Sequence, residues 1–144
     1  MKMKKCLLTE AFIQKTNMLS KNSLLISLSK FKKLEESPYL LIIKSITAEI
    51  VKITIYPLDK EKIIKISVRG KDIQKETIHG LLDILQNYEI LHSSGLCYDA
   101  QNQLLYECYL NIDISSKDME NLQQSLEKIK PIIKELIIEE ISLI

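Results

Sequence analysis

The histidines and their neighbours are the residues best suited to acid–base or nucleophilic chemistry. The chain has two histidines, His79 and His92, and His92 lies close in sequence to Ser94 and Cys97. A Ser94–His92 or Cys97–His92 pair could act as a nucleophile and its base. Such a site also needs an acid that orients the base and donors that bind an oxyanion. No neighbouring residue supplies these groups, so we expect no catalytic residues and no enzymatic activity.

The same region offers little for a metal ion or a cofactor. His79, His92, Cys97 and Asp99 carry ligand atoms, but a structural zinc site normally shows its ligands in close pairs. Neither a phosphate-binding P-loop nor a GxGxxG motif is present. We therefore expect no metal site and no cofactor.

The three cysteines, Cys6, Cys97 and Cys108, are scattered along the chain. Their odd number and their spacing argue against a disulfide framework. Cys97 and Cys108 could lie on adjacent strands, but a tight turn centred near Gln101 places residue 105, and not Cys108, opposite Cys97. We expect free thiols in a reducing cytosol.

The charge of the chain excludes several classes of partner. Basic and acidic residues nearly balance, and the formal net charge is +1. Proteins that bind nucleic acid or an anionic membrane usually carry an excess of basic residues, which this chain lacks. Tyr98, Tyr106 and Tyr109 could stack on bases, but the basic residues that would accompany them are missing. Neither a signal peptide nor an apolar run long enough to cross a membrane is seen. We expect a cytoplasmic protein that binds neither nucleic acid nor membrane.

Residues 62–144 alternate between strand and helix patterns. Residues 62–70 alternate apolar and polar as a half-buried strand does, and residues 71–87 repeat apolar side chains at helical spacing. Strands near 89–97 and 104–113, with a turn between them, precede a second helix at 115–131, which Ser115 would cap. A final strand covers 135–144. This order predicts an α+β fold of the ferredoxin-like βαββαβ type, with two helices on one face of an antiparallel sheet.

Residues 1–61 form a separate, β-rich extension in this interpretation. A short helix capped by Thr9 is predicted over 9–19, and a strand over 22–31. The run over 38–59 is rich in β-branched residues and too long for one strand, so a bend near 45–49 is expected. The polar residues 59–61 connect the extension to the strand at 62.

The βαββαβ unit resembles the ACT domain family. The resemblance lies in "ISVRGKDIQKETIHGLLDILQNYEILHSSGLCYDAQNQLLYECYLNID" and extends over about the last eighty residues. Gly70 and Asp72 match the loop after the first strand, and Gly80 matches the helix start, although Asp72 and Gly80 lie further apart than in the usual Asp-x-x-Gly form. The resemblance implies a non-catalytic regulatory module that binds an amino acid or another small molecule, commonly where two domains pair.

A ligand site follows from this resemblance and from local chemistry. The helix start at His79 and Gly80 would offer backbone N–H groups to a carboxylate, and Asp72 could bind an amino group. The predicted ligand-binding residues are Gly70, Lys71, Asp72, His79, Gly80, Ser93, Ser94 and Gly95. The last three could leave room for a ligand or for another backbone. Alternatively, Gly95 marks a β-bulge and the serines only face solvent.

Two classes of function remain open. The first is a regulatory protein that binds a small-molecule effector at a subunit interface; the alternative is a protein–protein interaction module without such a ligand. Helices on one side would leave the other sheet face open, and that face is mixed in character. Its residues are Ile63, Lys65, Ser67, Arg69, Leu105, Glu107 and Tyr109. We therefore expect a homo-oligomer.

Overall fold

The computed structural model describes residues 8–15, 31–133 and 135–144. The fold is α+β, with antiparallel sheets and α-helices. In chain order the elements are β1 (Glu10–Lys15), α1 (Lys32–Glu36), β2 (Tyr39–Ile46), β3 (Val51–Leu58), β4 (Lys62–Lys71), α2 (Lys75–Leu85), β5 (Ile90–Ser93), β6 (Cys97–Tyr98), β7 (Gln103–Leu110), α3 (Lys117–Glu127) and β8 (Glu135–Ser142). The chain divides into two compact units. The first is Met1–Lys62 with Ile141–Ile144, and the second is Ile63–Glu140.

The first unit contains an antiparallel sheet with the strand order β1-β2-β3. Strands β2 and β3 form a hairpin that pairs from Tyr39 with Leu58 to Ile46 with Val51. The Thr47 amide donates to the Ile50 carbonyl at 2.9 Å, and the Thr47 hydroxyl accepts a bond from the Ile50 amide at 3.2 Å. The expected bend near 45–49 is therefore confirmed, and a threonine closes it instead of a glycine.

The helix predicted over 9–19 is wrong where the structure describes it, because Glu10–Lys15 is strand β1. This segment pairs with β2, and Ile13 lies opposite Leu41 with both side chains fully buried. Pairing with a hydrophobic strand outweighs the weak helical preference of this short segment. Residues 16–19 lie outside the described residues, as does the strand predicted over 22–31 apart from Phe31. The short helix α1 was not predicted.

The second unit is built on a sheet with the order β5-β7-β4-β8, in which β6 also pairs with β7. Strands β4 and β7 pair without interruption from Ile64 with Leu110 to Lys71 with Gln103. The predicted strand over 62–70 is confirmed. Leu105 lies opposite Cys97, as expected from a turn centred near Gln101.

Helices α2 and α3 pack on one face of this sheet. Their apolar stripes join alternate residues of β4 and β7 in one core. The side chains that form it include Ile64, Ile66, Val68, Tyr106, Cys108, Leu110, Leu81, Leu85, Met119, Leu122 and Leu126. The cap of α3 is Ser116, whose hydroxyl accepts from the Met119 amide at 3.2 Å. Ser115 was the wrong prediction, because its hydroxyl donates to Asp113 Oδ1 at 2.7 Å.

Candidate functional site

The connection between β4 and α2 carries the first group of predicted ligand-binding residues. Gly70 is buried in β4 opposite Leu104, whereas Lys71 and Asp72 are exposed. Asp72 has φ 56°, in the left-handed region that aspartate tolerates better than most residues. Gln74 precedes α2 and makes no side-chain capping bond. This connection thus presents a cation and a carboxylate beside the start of a helix.

His79 and Gly80 lie in the middle of α2, so the predicted helix start at these two residues is wrong. The helix begins at Lys75, and only its first four amides lack a carbonyl within the helix. Gly80 does not mark a close approach either, because a Cβ built there meets nothing within 4 Å. The amphipathic repeat that includes Ile78 is already helical before the glycine, and the glycine does not interrupt it.

Ser93, Ser94 and Gly95 hold the irregular edge of the sheet together. The Ser94 amide donates to the Glu107 carbonyl at 2.9 Å, and the Ser94 hydroxyl accepts from the Glu107 amide at 2.9 Å. The hydroxyl therefore takes the place that a strand carbonyl normally has. The Ser93 hydroxyl donates to the Tyr106 hydroxyl at 3.2 Å and accepts from the Gly95 amide at 3.2 Å. Gly95 has φ +73°, which glycine adopts without strain.

These contacts give both serine hydroxyls a structural role, although Ser93 is exposed to solvent. One register shift lies between Ile90 and His92, and a second lies between Ser93, opposite Cys108, and Cys97, opposite Leu105, a stretch that includes Gly95. The small polar residues occur here because the strand leaves regular pairing, and their hydroxyls replace its lost backbone bonds.

The structure does not bring the two groups of predicted residues together. Strand β7 lies between β4 and β5. Gly70 is opposite Leu104 on β7, whereas Ser93 is opposite Cys108. Two strand spacings and four residues of β7 separate them, about 10 Å across the sheet and about 13 Å along it. A single small ligand does not contact both groups through neighbouring strands.

The sheet face opposite the helices holds a buried ion pair that the sequence analysis missed. Lys65 Nζ lies 3.1 Å from Glu107 Oε1, and the two side chains are 4% and 5% exposed. Lys65 Nζ also lies 5.6 Å from the centre of the Tyr109 ring. The open mixed face expected from the sequence is wrong, since Ile63, Lys65, Leu105, Glu107 and Tyr109 are all buried.

A polar cluster at the end of the same face fixes the turn before β7. Asp99 Oδ1 accepts bonds from the amides of Gln101 and Gln103, both at 2.9 Å. Arg69 Nε donates to Gln103 Oε1 at 2.8 Å, and its guanidinium lies 4.0 Å from Asp99 Oδ2. These contacts use Asp99 as a turn residue and hold it in a fixed position.

The groups considered for nucleophilic catalysis have other neighbours. The His92 ring packs edge-on against Tyr109, with 6.0 Å between ring centres. Cys97 Sγ lies 3.8 Å from the carbonyl oxygens of Ser94 and Gly95. Carbonyl oxygens accept a hydrogen bond from a thiol, and neither of these two contacts is a general base or a cation.

Burial in the helix-covered core makes its polar groups poor acids. Burial raises the pKa of the Cys108 thiol to about 11, although a bond with Tyr106 opposes the effect. Burial also raises the pKa of Tyr106 to about 12, and the bond from Ser93 acts in the opposite direction. Cys108 is a free cysteine, as is Cys97, which confirms the expectation of free thiols for these two. A neutral, buried thiol is a packing group.

An exposed apolar surface covers one face of the β2–β3 hairpin. We define the hairpin face as the side chains of Ile42, Ile46, Val51, Ile53 and Ile55. Ile46 and Val51 lie opposite each other and are each 57% exposed, and Ile53 is 44% exposed. Ile42 and Ile55 also pair and are half-buried. The alternation of β3, which places Val51, Ile53 and Ile55 on one side, was the signal for this face in the sequence.

No group of three or more His, Cys, Asp or Glu side chains in the described ranges is placed to hold a metal ion. Among those same residues, no helix has the length and apolar character needed to cross a membrane. No protein-family model matches the chain. No curated protein matches it with significance.

Proposed function

We propose that this chain is a non-catalytic protein-interaction module that binds its partner through the hairpin face. The observation that carries this proposal is the exposure of Ile46, Val51 and Ile53 on one side of a regular hairpin. Single exposed apolar residues are common on proteins. A contiguous set on a flat sheet face is characteristic of surfaces that bind another protein.

A charged residue lies within the hairpin face. Lys44 is between Ile42 and Ile46 on β2 and opposite Ile53, and it forms a solvent-exposed ion pair with Glu10 at 3.4 Å. Protein interfaces combine apolar and polar residues, so this pair is compatible with a binding surface. The buried Lys65–Glu107 pair, by contrast, belongs to the second unit and takes no part in this proposal.

Site-specific photo-crosslinking in cells that express the chain tests the proposal. A photoreactive residue at Val51 is expected to yield a covalent protein product, identified by mass spectrometry. The same residue at Ile132, which is 60% exposed in the second unit, serves as the control and is expected to yield none. Equal products at both positions, or none at Val51, would show that the hairpin face is not the interaction surface.

A second candidate function, regulation by a small molecule, is supported by the second unit. The strand order β5-β7-β4-β8 becomes 2-3-1-4 when these four strands are numbered along the chain, and two helices cover one face of the sheet. This arrangement is consistent with a ferredoxin-like fold and with the ACT-like resemblance. The site would consist of Lys71, Asp72 and the uncapped start of α2, where a helix N-terminus favours an anionic group.

A thermal-shift screen with the twenty amino acids and common nucleotides tests this second function. A ligand at 100 times its Kd stabilises a fold by about 2.7 kcal/mol. Asp72→Asn removes the charge and retains a residue that tolerates the left-handed backbone, so it is expected to abolish the shift without loss of stability. The absence of any shift, or an unchanged shift in Asp72→Asn, would argue against this site.

A further inference from the structure

The outer edge of β3 is open to another strand within the part of the chain that the structure describes, because the order β1-β2-β3 places β3 last. The Thr47 amide donates to the Ile50 carbonyl, so the backbone N–H and C=O groups of Ile50 point towards β2. Backbone groups alternate along an antiparallel pair, and those of Val51, Ile53 and Ile55 therefore point outward.

The far edge of the same sheet supports this assignment. Ile13 on β1 lies opposite Leu41. By the same alternation, the backbone N–H and C=O groups of Ile13 point away from β2. The Ile144 amide donates to the Ile13 carbonyl at 3.1 Å, so Ile13 does bond on the outer side of β1.

Strand β3 lacks most of the features that keep a sheet edge from pairing. It pairs with β2 over its whole length without a bulge, and apolar, β-branched residues occupy its outward positions as far as Ile55. Bulges, charges and prolines normally protect such an edge. Pro57 is the one proline of β3 and lies near its end. The β5 edge differs, because a register shift interrupts it.

We propose that the partner of the hairpin face is a second copy of this chain, bound by antiparallel pairing of β3 with β3 about a two-fold axis at Ile53. This inference rests on the proposed interaction function and names its partner. Val51 then pairs with Ile55 of the copy and Ile53 with Ile53. Each such pair exchanges two backbone hydrogen bonds.

The sequence of β3 selects this register over its neighbours. An axis at Lys52 would place Lys52 opposite Lys52, and like charges directly opposite destabilise a sheet. An axis at Thr54 would place Val51 opposite Pro57, which has no amide to donate. With the axis at Ile53, Lys52 faces Thr54 and all three outward amides find acceptors.

The same register brings the exposed side chains of β3 into contact with a second copy. Residues on the outward-bonding positions of β3 have their side chains on the hairpin face, so the side chains of Val51, Ile53 and Ile55 lie beside their counterparts on the copy. The two hairpin faces become one continuous sheet surface. Edge pairing of this length is a small interface, so a weak, concentration-dependent dimer is expected.

Sedimentation velocity over a range of concentrations tests the proposal. The wild type is expected to associate as concentration rises, and Ile53→Glu to remain a monomer, because two carboxylates would face each other across the axis. Within one chain the new glutamate lies opposite Lys44, a favourable cross-strand pair that preserves the fold. Ile132→Glu, at an exposed site of the second unit, is the control and is expected to associate like the wild type. A wild-type monomer at all concentrations, or association unchanged by Ile53→Glu, would overturn the proposal.

Disulfide trapping tests the register, in a background with Cys6→Ser and Cys97→Ser. Ile53→Cys is expected to form a dimer on oxidation, because hydrogen-bonded partners have Cα atoms about 5.5 Å apart, within disulfide range. Ile50→Cys on the same hairpin is expected to form none, because the two copies of residue 50 are about 20 Å apart along the strands. Efficient trapping at Ile50 but not at Ile53 would overturn the register.

The two sets of experiments separate failure of this inference from failure of the proposed function. A different protein crosslinked at Val51, together with a monomeric wild type, would overturn self-pairing and leave the interaction function intact. No product at Val51 would overturn both.

Discussion

The buried Lys65–Glu107 pair gives the sharpest prediction for stability. The two charged atoms lie 3.1 Å apart, and the side chains are 4% and 5% exposed. Glu107→Leu leaves the Lys65 ammonium buried without its carboxylate. Removal of one partner of a buried pair costs about 3–5 kcal/mol, which is a large share of the roughly 5–15 kcal/mol that stabilises a typical domain.

The double variant Lys65→Met/Glu107→Leu is expected to recover most of this loss. Replacement of both charges by apolar groups of similar volume is often neutral or stabilising by about 1–4 kcal/mol. Lys65→Met alone removes the ammonium from beside a buried carboxylate, so it is expected to destabilise as Glu107→Leu does. The two single changes are therefore strongly non-additive.

Urea denaturation of the wild type, both single variants and the double variant measures the coupling. The exposed pair of Lys44 with Glu10, at 3.4 Å and in solvent, is the matched control, and Glu10→Gln is expected to cost less than about 1 kcal/mol. A loss below about 1 kcal/mol for Glu107→Leu, or a double variant that loses the sum of both singles, would refute the reasoning.

Three further predictions concern single residues of the second unit. Gly80→Ala is expected to raise the free energy of unfolding by about 0.5–1 kcal/mol in thermal or urea denaturation, because the glycine lies in mid-helix with open space around it; a loss of stability would contradict this. Cys108 has a pKa raised from 9.0 to about 11, so its contribution to stability is complete below pH 9.0 and disappears as pH rises to about 11. This loss is on the order of 3 kcal/mol, and Cys108→Ala is expected to lessen it. Urea denaturation at a series of pH values measures the effect, and an unchanged pH dependence would contradict the prediction. Ser94→Ala removes the acceptor of the Glu107 amide and is expected to cost about 1–3 kcal/mol, whereas Ser94→Thr, which retains the hydroxyl, is expected to cost less; equal losses would contradict the proposed role of the hydroxyl.

The strand at 62–70 and the helix after it could be predicted because their patterns are strong and local, whereas the single strand predicted near 89–97 is two short strands, Ile90–Ser93 and Cys97–Tyr98. The alternation of β4 and the helical repeat of Ile78, Leu81 and Leu85 each appear within a few residues. The β2–β3 bend followed from length alone, since a strand of twenty residues is improbable.

The errors arose where distant residues decide the outcome. Ile13 lies in a strand because Leu41 is its partner, and a short window around Ile13 does not contain that information. Ser115 and Ser116 are both good caps in sequence, and only the bond of Ser115 to Asp113 separates them. The pairing of Lys65 with Glu107 required the register of β4 against β7.

The residues predicted to form one ligand site lie in two separate places for the same reason. Gly70 to Asp72 were correctly predicted to precede a helix, because these elements follow one another in sequence, although the helix begins at Lys75 and not at His79. Ser93 to Gly95 were assigned to the same place, but the position of β7 between the two groups is a property of the sheet order. The hairpin face was not identified because exposure of an apolar strand face depends on what packs against it.

Hydrogen exchange at individual amides of β3 tests the central claim, that its open edge pairs with another strand, most directly. In dilute protein the amides of Val51, Ile53 and Ile55 are expected to exchange fast, while those of Lys52 and Thr54, which point towards β2, are protected. At high concentration all five amides are expected to be protected, because the outward three become bonded to the copy. Outward amides that still exchange fast when the protein has associated would contradict the claim.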